Sequence, residues 1–218
     1  WSRGLGDVYK RQDLVSARTW YERRTEMGGW DEEVFAASYR AAQVMEGLGE
    51  PWPTVQDAYL RAWSLRPTRA EPLYAIARRC RVDRRYQLGH FFAEAAARIP
   101  LPEADVLFVP TDVYAWRAID EQAVCASWIG RWREMLDLCE RILARDDIPA
   151  ADRTRIAANR DLAATNVGRS AGDERPPGAA LSRRLLGRAV AKGEVRLPAV
   201  PAMLDDYQSL CERSFAAL

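Results

Sequence analysis

The segment PWPTVQDAYLRAWSLRP, residues 51–67, decides the fold because it recurs twice further along the chain. Its first counterpart is RYQLGHFFAEAAARIP, residues 85–100, and its second is RWREMLDLCERILARDDIP, residues 131–149. An aromatic residue enters each copy, and apolar or small residues follow it three, seven and ten positions later. This spacing predicts one buried face of an α-helix that occurs three times.

The intervals between the copies predict a repeat architecture. The entering aromatics Trp52 and Tyr86 are 34 residues apart, which is the period of a tetratricopeptide helix-turn-helix unit. Tyr86 and Trp132 are 46 residues apart, which is that period plus an insertion of 12 residues, 101–112. The aligned positions that follow the aromatics are Val55, Gly89 and Met135, then Tyr59, Ala93 and Cys139, then Ala62, Ala96 and Ile142.

Prolines mark the boundary between the first two units. Pro67 ends one helix, and Pro72 suits the first turn of the next, where its missing N–H removes no helical hydrogen bond. Helices are predicted at residues 14–27, 31–48, 53–65, 71–82, 85–98, 113–129, 131–145 and 150–165. Only Val106–Pro110 resembles a short extended segment. The fold class is therefore an all-α stack of tetratricopeptide-like α-α hairpins.

Composition narrows the class of protein. The chain has 218 residues, 48% of them hydrophobic, and its 32 basic residues nearly balance 31 acidic ones. The net charge of the chain is therefore close to zero, and it gives no overall electrostatic attraction to nucleic acid. The four cysteines, at positions 80, 125, 139 and 211, lack the spacing of a disulfide framework or a zinc site, which favours a cytoplasmic protein. No apolar run is long enough to predict a transmembrane helix.

Both ends of the chain are set apart from the repeats. Residues 1–12, WSRGLGDVYKRQ, lack the helical period and are interpreted as a non-native leader; an ordinary flexible terminus is the alternative. The repeats then occupy residues 13–165. Residues 166–180 are rich in Gly, Pro and charge and predict a linker. Residues 181–218 form further helical segments that either cap the stack or belong to a truncated second domain.

Three stretches also resemble a known family. These stretches are YERRTEMGGWDEEVFAASYRAA, PW..V.DAYLRAW..RPTRAEPLYAIAR and DVYAWRAIDE, and together they are similar to the tetratricopeptide-type region attached to bacterial family-2-like glycosyltransferases. The resemblance covers roughly residues 16–160. It implies a catalytic nucleotide-sugar domain outside this region. Cys80 replaces an aromatic residue of the family pattern, and the tail beyond Arg160 has no counterpart in it.

Catalytic chemistry has little support in the sequence. His90 lies beside Phe91 and Phe92 without a Ser, Cys or Asp at the spacing of a nucleophilic site, so packing is favoured over a general-base function. Acidic groups such as residues 31–33 stand where a helix dipole favours carboxylates, which competes with a cation-binding interpretation. The sequence has no D-x-D pair, and the G-x-G of Gly4 and Gly6 lies in the leader. No catalytic residue, metal or cofactor is therefore assigned.

Binding has more candidates. Residues 78–85, RRCRVDRR, hold five arginines, which suit a phosphate or sugar nucleotide but also suit a solvated helix end. Tryptophans 30, 116 and 128 suit either stacking on sugar rings or packing between helices. The candidate binding residues are Trp30, Arg40, Arg78, Arg79, Arg81 and Trp116.

The sequence thus predicts a non-catalytic binding or docking module of a glycosyltransferase-like protein. Its expected partner is another protein or its own catalytic domain, and the first helices of the units are expected to line the concave binding face. One alternative is a region that binds acceptor glycan or nucleotide sugar directly. Another is a free-standing interaction scaffold. The chain alone is not expected to transfer sugar, and neither nucleic acid nor a membrane is an expected partner.

Overall fold

The computed structural model describes residues 2–172, with side chains placed for residues 13–169. Over this range the secondary structure is entirely helical, without a strand. The helices are α1 (Ser2–Glu26), α2 (Asp31–Leu48), α3 (Trp52–Leu65), α4 (Glu71–Val82), α5 (Tyr86–Arg98), α6 (Ala118–Trp128), α7 (Trp132–Leu143) and α8 (Ala150–Gly172). A π-helical turn, Val113–Arg117, leads directly into α6. The chain divides into two units at Val167, and the contacts below belong to the first.

The prediction of an all-α fold is confirmed, and six of the eight predicted helices begin within one residue of the expected start. The two ends differ. Helix α1 begins at Ser2 rather than at residue 14, because no proline interrupts the chain between these positions. Helix α8 continues to Gly172, seven residues beyond its predicted end, because the first prolines that follow are Pro176 and Pro177. The remainder of the predicted linker and residues 181–218 lie outside the described residues.

The three aligned segments become helices α3, α5 and α7, and each of these begins at its aligned aromatic residue. The positions that follow three, seven and ten residues later are buried in all three helices. The three alanines among them, Ala62, Ala93 and Ala96, are fully excluded from solvent. The aligned pattern therefore marks the packing face of three corresponding helices.

A common turn precedes these three helices. Each turn contains one residue with a left-handed backbone: Gly49 (φ 74°), Arg84 (φ 59°) and Gly130 (φ 77°). The next residue donates its N–H to the carbonyl five positions back, the hydrogen bond that closes a Schellman motif. These bonds run from Glu50 to Met45 (3.1 Å), from Arg85 to Cys80 (2.8 Å) and from Arg131 to Ala126 (2.9 Å). Helices α2 and α3, α4 and α5, and α6 and α7 are thus joined in the same way, and they are called the first, second and third hairpins.

The core is divided along the chain. One cluster, which includes Tyr59 and Ile76, joins α2, α3 and α4. A second, which includes Leu73 and Ala96, joins α4 and α5 to the π-helical turn and the start of α6. A third, which includes Ile142 and Ile156, joins α6, α7 and α8. Each helix from α1 to α6 packs against the next one, and α4 also contacts α6.

The inserted segment, residues 101–112, is an irregular loop between α5 and α6. Val106–Pro110 was predicted to be extended, but it forms no strand. Its backbone groups are satisfied by side chains instead, because Glu32 Oε2 accepts the N–H groups of Val106 (2.9 Å) and Leu107 (2.8 Å). The insertion is therefore fixed to the start of α2, far away in sequence.

Candidate functional site

A groove of about 540 Å³ lies on α2 and α4, the first helices of the first and second hairpins. Phe35, Tyr39 and Arg40 line it from α2, and Tyr74 and Arg78 line it from α4. The remaining wall comes from the insertion and the π-helical turn. This is the face on which the repeat pattern predicted a binding surface, and the aligned helices α3, α5 and α7 contribute little to it.

Two guanidinium groups face the groove without an acidic partner. Arg78 is exposed, and within the described residues it makes neither a salt bridge nor a hydrogen bond. Arg40 is also exposed, and its one hydrogen bond among the described side chains runs from Nη1 to the neutral Gln43 Oε1, at 2.9 Å. Arg117, by contrast, pairs with Asp112 at 3.0 Å. The unpaired positive charge of the groove therefore resides on Arg40 and Arg78.

The floor of the groove is aromatic and uncharged at neutral pH. Burial is the main cause that raises the pKa of Tyr39, and Arg40 and Arg78 oppose this shift. Burial also raises the pKa of Tyr59, and its hydroxyl donates a 2.7 Å hydrogen bond to Glu46 Oε2. Neutral phenols in the floor offer apolar ring surface without cancelling the two arginines.

Arg69 fixes the insertion over the groove. It lies in the turn between α3 and α4, is only 2% exposed, and uses all five of its N–H donors. Its Nε and Nη2 atoms lie 2.9 and 2.6 Å from Glu71 Oε1, and its Nη1 lies 3.2 Å from Asp105 Oδ2. The carbonyls of Leu107 (3.2 Å) and Phe108 (3.1 Å) accept the remaining two. A fully bonded buried guanidinium of this kind holds the loop in one conformation.

Asp105 ties the insertion to the same turn through a second arginine. Arg66 Nε donates to Asp105 Oδ2 at 2.7 Å, and Arg66 Nη2 binds the other oxygen. Hydrogen bonds from Arg66 are the largest cause of a lowered pKa at Asp105, and Arg69 adds to the effect. The carboxylate is 3% exposed. It therefore stays ionised and connects both arginines to the loop.

Phe108 stands at the edge of the groove in an unusual backbone conformation. Its φ is 50°, in the left-handed region that residues other than glycine rarely adopt, and its side chain is 69% exposed. The hydrogen bond from Arg69 to the Phe108 carbonyl holds this conformation. The fold thus holds an aromatic ring in solvent with a strained backbone. Backbone strain of this kind is a common feature of binding sites.

The arginines of the predicted cluster point in different directions around α4 and have different partners. Arg79 binds both oxygens of Asp83 (2.9 and 3.0 Å), and its guanidinium lies over the ring of Trp52, 5.2 Å from the centroid. Arg81 makes two hydrogen bonds to Glu121, at 2.5 and 3.1 Å. Only Arg78 is left facing the groove, because successive residues of a helix point about 100° apart.

The predicted tryptophans lie outside the groove. Trp116 is 5% exposed and belongs to the third core cluster, a placement that suits the packing alternative rather than stacking on a sugar. Trp30 precedes α2 and is 48% exposed. Trp128 is exposed and stacks on Tyr86, with ring centroids 4.7 Å apart. Of the six candidate binding residues, Arg40 and Arg78 share one surface.

His90 contributes to packing between helices. It is 4% exposed, and its Nε2 lies 2.7 Å from Glu134 Oε1, which also accepts a hydrogen bond from Gln122. Although burial raises the pKa of Glu134, the hydrogen bonds from His90 and Gln122 outweigh it and leave this pKa lowered. The three residues connect α5, α6 and α7. These contacts give the cluster a part in holding the three helices together.

The acidic groups at the start of α2 also have structural partners. Glu32 binds the insertion as described above, and Glu33 pairs with Arg24 of α1. Within the described part of the chain, no three His, Cys, Asp or Glu side chains are arranged to hold a metal ion. Across residues 2–172, no helix combines the length and apolar character that crossing a membrane requires.

Sequence reasoning missed Arg69 and Phe108, and it placed Glu32 in the acidic start of a helix without its contact to the insertion. A signal for the first was present: two arginines flank Pro67 in the turn, and the insertion carries Asp105. No pattern identified Phe108, whose importance depends on its backbone conformation.

Comparisons of the chain with protein-family models, curated proteins and solved structures gave no match. The resemblance to a glycosyltransferase-attached region therefore remains a hypothesis based on the quoted residues.

Proposed function

We propose that this chain is a tetratricopeptide-like docking module of a bacterial glycosyltransferase-like protein, and that it binds a protein segment in the groove. The observation that carries the proposal is the groove itself: it lies on the first helices of the first two hairpins and presents Arg40 and Arg78, which have no acidic partner among the described residues. The partner is another protein or the catalytic domain that the family resemblance implies. The chain itself has a binding function and no catalytic one.

The repeat architecture supports this function. Three hairpins with the same left-handed turn, the same packing face and a core divided along the chain are the features of a solenoid. Helical solenoids present the first helices of their units on a continuous concave surface, and they bind extended partners there. The position of the groove fits this arrangement.

A direct sugar-binding function is the second candidate, because two free guanidiniums also suit a diphosphate. The surroundings favour it less. Arg79 and Arg81 are occupied by Asp83 and Glu121, and the Trp116 ring is buried. A sugar nucleotide in the groove would have only Arg40 and Arg78 for its phosphates.

Photocrosslinking tests the docking function. A benzophenone amino acid is placed at Ala75, which lines the groove from α4, and at Arg141, an exposed position on α7 that serves as the control. We expect irradiation of the protein in its native host to join Ala75, but not Arg141, to one defined protein segment. Equal products from both positions, or none from Ala75, would contradict docking in the groove.

Calorimetric titration separates the sugar-binding candidate from docking. We expect no saturable heat when the chain is titrated with uridine- or guanosine-diphosphate sugars or with acceptor glycans. If saturable binding appears and Arg78→Ala abolishes it while Arg79→Ala does not, the groove is a sugar-nucleotide site and the docking proposal is wrong. Arg79 is the matched control because it neighbours Arg78 but pairs with Asp83.

A further inference from the structure

The groove continues into a second depression. This depression, of about 560 Å³, lies between α1, α2 and the insertion, and Tyr21 and Arg24 line its far side. The two depressions share Ala36, Arg40 and Phe108. Arg40 and Phe108 therefore form a ridge with a hollow on either side. A ligand that used both hollows would be extended and would cross this ridge.

The charges along this path are not balanced. Glu46 and Glu33 are the only acidic residues that line the two hollows within the described residues. Glu46 accepts a hydrogen bond from Tyr59 and lies 3.7 Å from Arg79, and Glu33 pairs with Arg24. Within residues 13–169, whose side chains are described, Arg40 and Arg78 have no acidic partner. The path is therefore positive, and an anionic ligand would complement it.

The ridge also presents apolar surface. Phe108 is 69% exposed, and Val106, two residues earlier on the same loop, is 77% exposed. The loop that carries them is fixed by Arg69, Asp105 and Glu32. A rigid loop that exposes an aromatic ring loses little conformational entropy when a partner packs against it. The occupant must therefore offer an apolar side chain as well as negative charge.

From this combination we infer that the occupant is an extended acidic peptide segment, and the inference rests on the docking function proposed above. Carboxylates of the segment bind the guanidiniums of Arg78 and Arg40, and an apolar side chain between them packs on Phe108. A small anion would leave the second hollow and the ring unused. A nucleic acid strand carries a charge at every nucleotide and would place phosphates beside Glu33 and Glu46, whereas a peptide can place uncharged residues there.

Binding of a defined probe tests this inference. The probe is a fluorescein-labelled peptide of twelve residues in which glutamate alternates with leucine and phenylalanine, and it is measured by fluorescence anisotropy with the whole chain. We expect saturable binding that weakens with salt. Replacing every glutamate by glutamine, or every apolar residue by serine, should weaken binding about tenfold or more, since charged hydrogen bonds and the aromatic contact are lost.

Variants locate the peptide. Arg78→Gln, Arg40→Gln and Phe108→Ala should each weaken probe binding about tenfold. Arg141→Gln and Phe91→Ala are the matched controls, because both residues are exposed on other helices, and they should leave affinity within about twofold. Circular dichroism checks that each variant is folded, and all five side chains are exposed enough that folding should persist.

Several outcomes would overturn the inference. Equal affinity for the glutamate and glutamine probes would show that charge is irrelevant, and unchanged affinity in Phe108→Ala would remove the ridge from the site. Tight binding of polyaspartate that depends on neither Arg78 nor Phe108 would indicate non-specific attraction. If the probe fails to bind while Ala75 still crosslinks to a protein, the acidic peptide is wrong and docking stands. If Ala75 also fails to crosslink, both the acidic-peptide inference and the docking function are wrong.

Discussion

A Cβ atom added to Gly89 in α5 would lie 2.8 Å from Sγ of Cys125 in α6. Gly89 occupies the aligned position that Val55 and Met135 hold in α3 and α7, so this repeat position has no side chain in the second hairpin alone. The missing side chain lets α5 approach α6 more closely than a larger residue would allow. The irregularity of the repeat is thus a packing requirement.

We expect Gly89→Ala to destabilise the protein by about 1–3 kcal/mol, because the added Cβ would overlap the fully buried Cys125 side chain. Chemical denaturation followed by circular dichroism measures the loss. Gly47→Ala is the control, because Gly47 lies within α2 and a Cβ added there meets nothing closer than 3.7 Å. This substitution should raise the free energy of unfolding by about 0.5–1 kcal/mol. Equal effects of the two substitutions would contradict the close contact at Gly89.

The shared turn predicts a stabilising substitution. Arg84 holds the left-handed position that Gly49 and Gly130 hold in the other hairpins, and a side chain at such a position costs about 1–2 kcal/mol. Arg84→Gly should therefore raise the free energy of unfolding by about 1 kcal/mol. The neighbouring Arg85→Gly, whose backbone φ is −88°, should be neutral or destabilising. A loss of stability in Arg84→Gly would mean that the turn is not the same in the three hairpins.

The anchor of the insertion predicts a sensitivity to acid. Because Arg66 and Arg69 lower the pKa of Asp105 below its ordinary 3.8, the ionised carboxylate stabilises the folded state at pH values above 3.8. This contribution is lost as the pH falls through the lowered pKa of the folded protein. Asp105→Asn should cost about 2 kcal/mol at pH 7 because two arginines lose charged hydrogen bonds, and the difference from the wild type should shrink in acid.

Thermal denaturation at pH values between 7 and 3 measures this effect. Asp57→Asn is the control, since its carboxylate pairs with Arg61 in a largely exposed ion pair, 3.2 Å apart, that contributes little. A difference between wild type and Asp105→Asn that stays constant down to pH 3 would show that the charge of Asp105 does not stabilise the loop.

The buried cysteines predict low thiol reactivity. Burial raises the pKa of Cys125 to about 12 and that of Cys139 to about 11, and it also raises the pKa of Cys80. Few of these thiols are ionised at pH 8, and none is exposed. In a Cys211→Ser variant, a disulfide reagent should therefore label three thiols rapidly only after denaturation. Fast labelling of the folded protein at pH 8 would contradict the burial of these residues.

Helix positions were predictable because the relevant physics is local. Proline at 67 and 72, the aromatic residues that begin α3, α5 and α7, and the apolar spacing all act within one helix, and α4 begins and ends at its expected residues. Local rules also explain the errors at the ends. Because no proline occurs in residues 1–14 or between Pro149 and Pro176, propensity alone does not determine where these two helices begin or end.

The site was only half predictable because pairing between charges depends on distant residues. Arg78, Arg79 and Arg81 look equivalent in sequence, yet Arg81 is bound by Glu121, 40 residues away, while Arg78 has no acidic partner among the described residues. The insertion was recognised by its length, but its wall-forming contacts require Glu32, 74 residues before Val106. No spacing rule links such positions before the fold is known.

The anchoring of the insertion changes how the stack should respond to mechanical force. In a row of hairpins that contact only their neighbours, tension passes from each hairpin to the next, so the hairpins yield one at a time. Here residues 101–112, which follow the second hairpin, are fastened to Glu32 at the start of the first hairpin and to Arg69 in the turn between them. This fastening closes the chain from residue 32 to residue 107 into a loop. A pull on the two ends would bypass that loop, so the first two hairpins should rupture together as a single mechanical element.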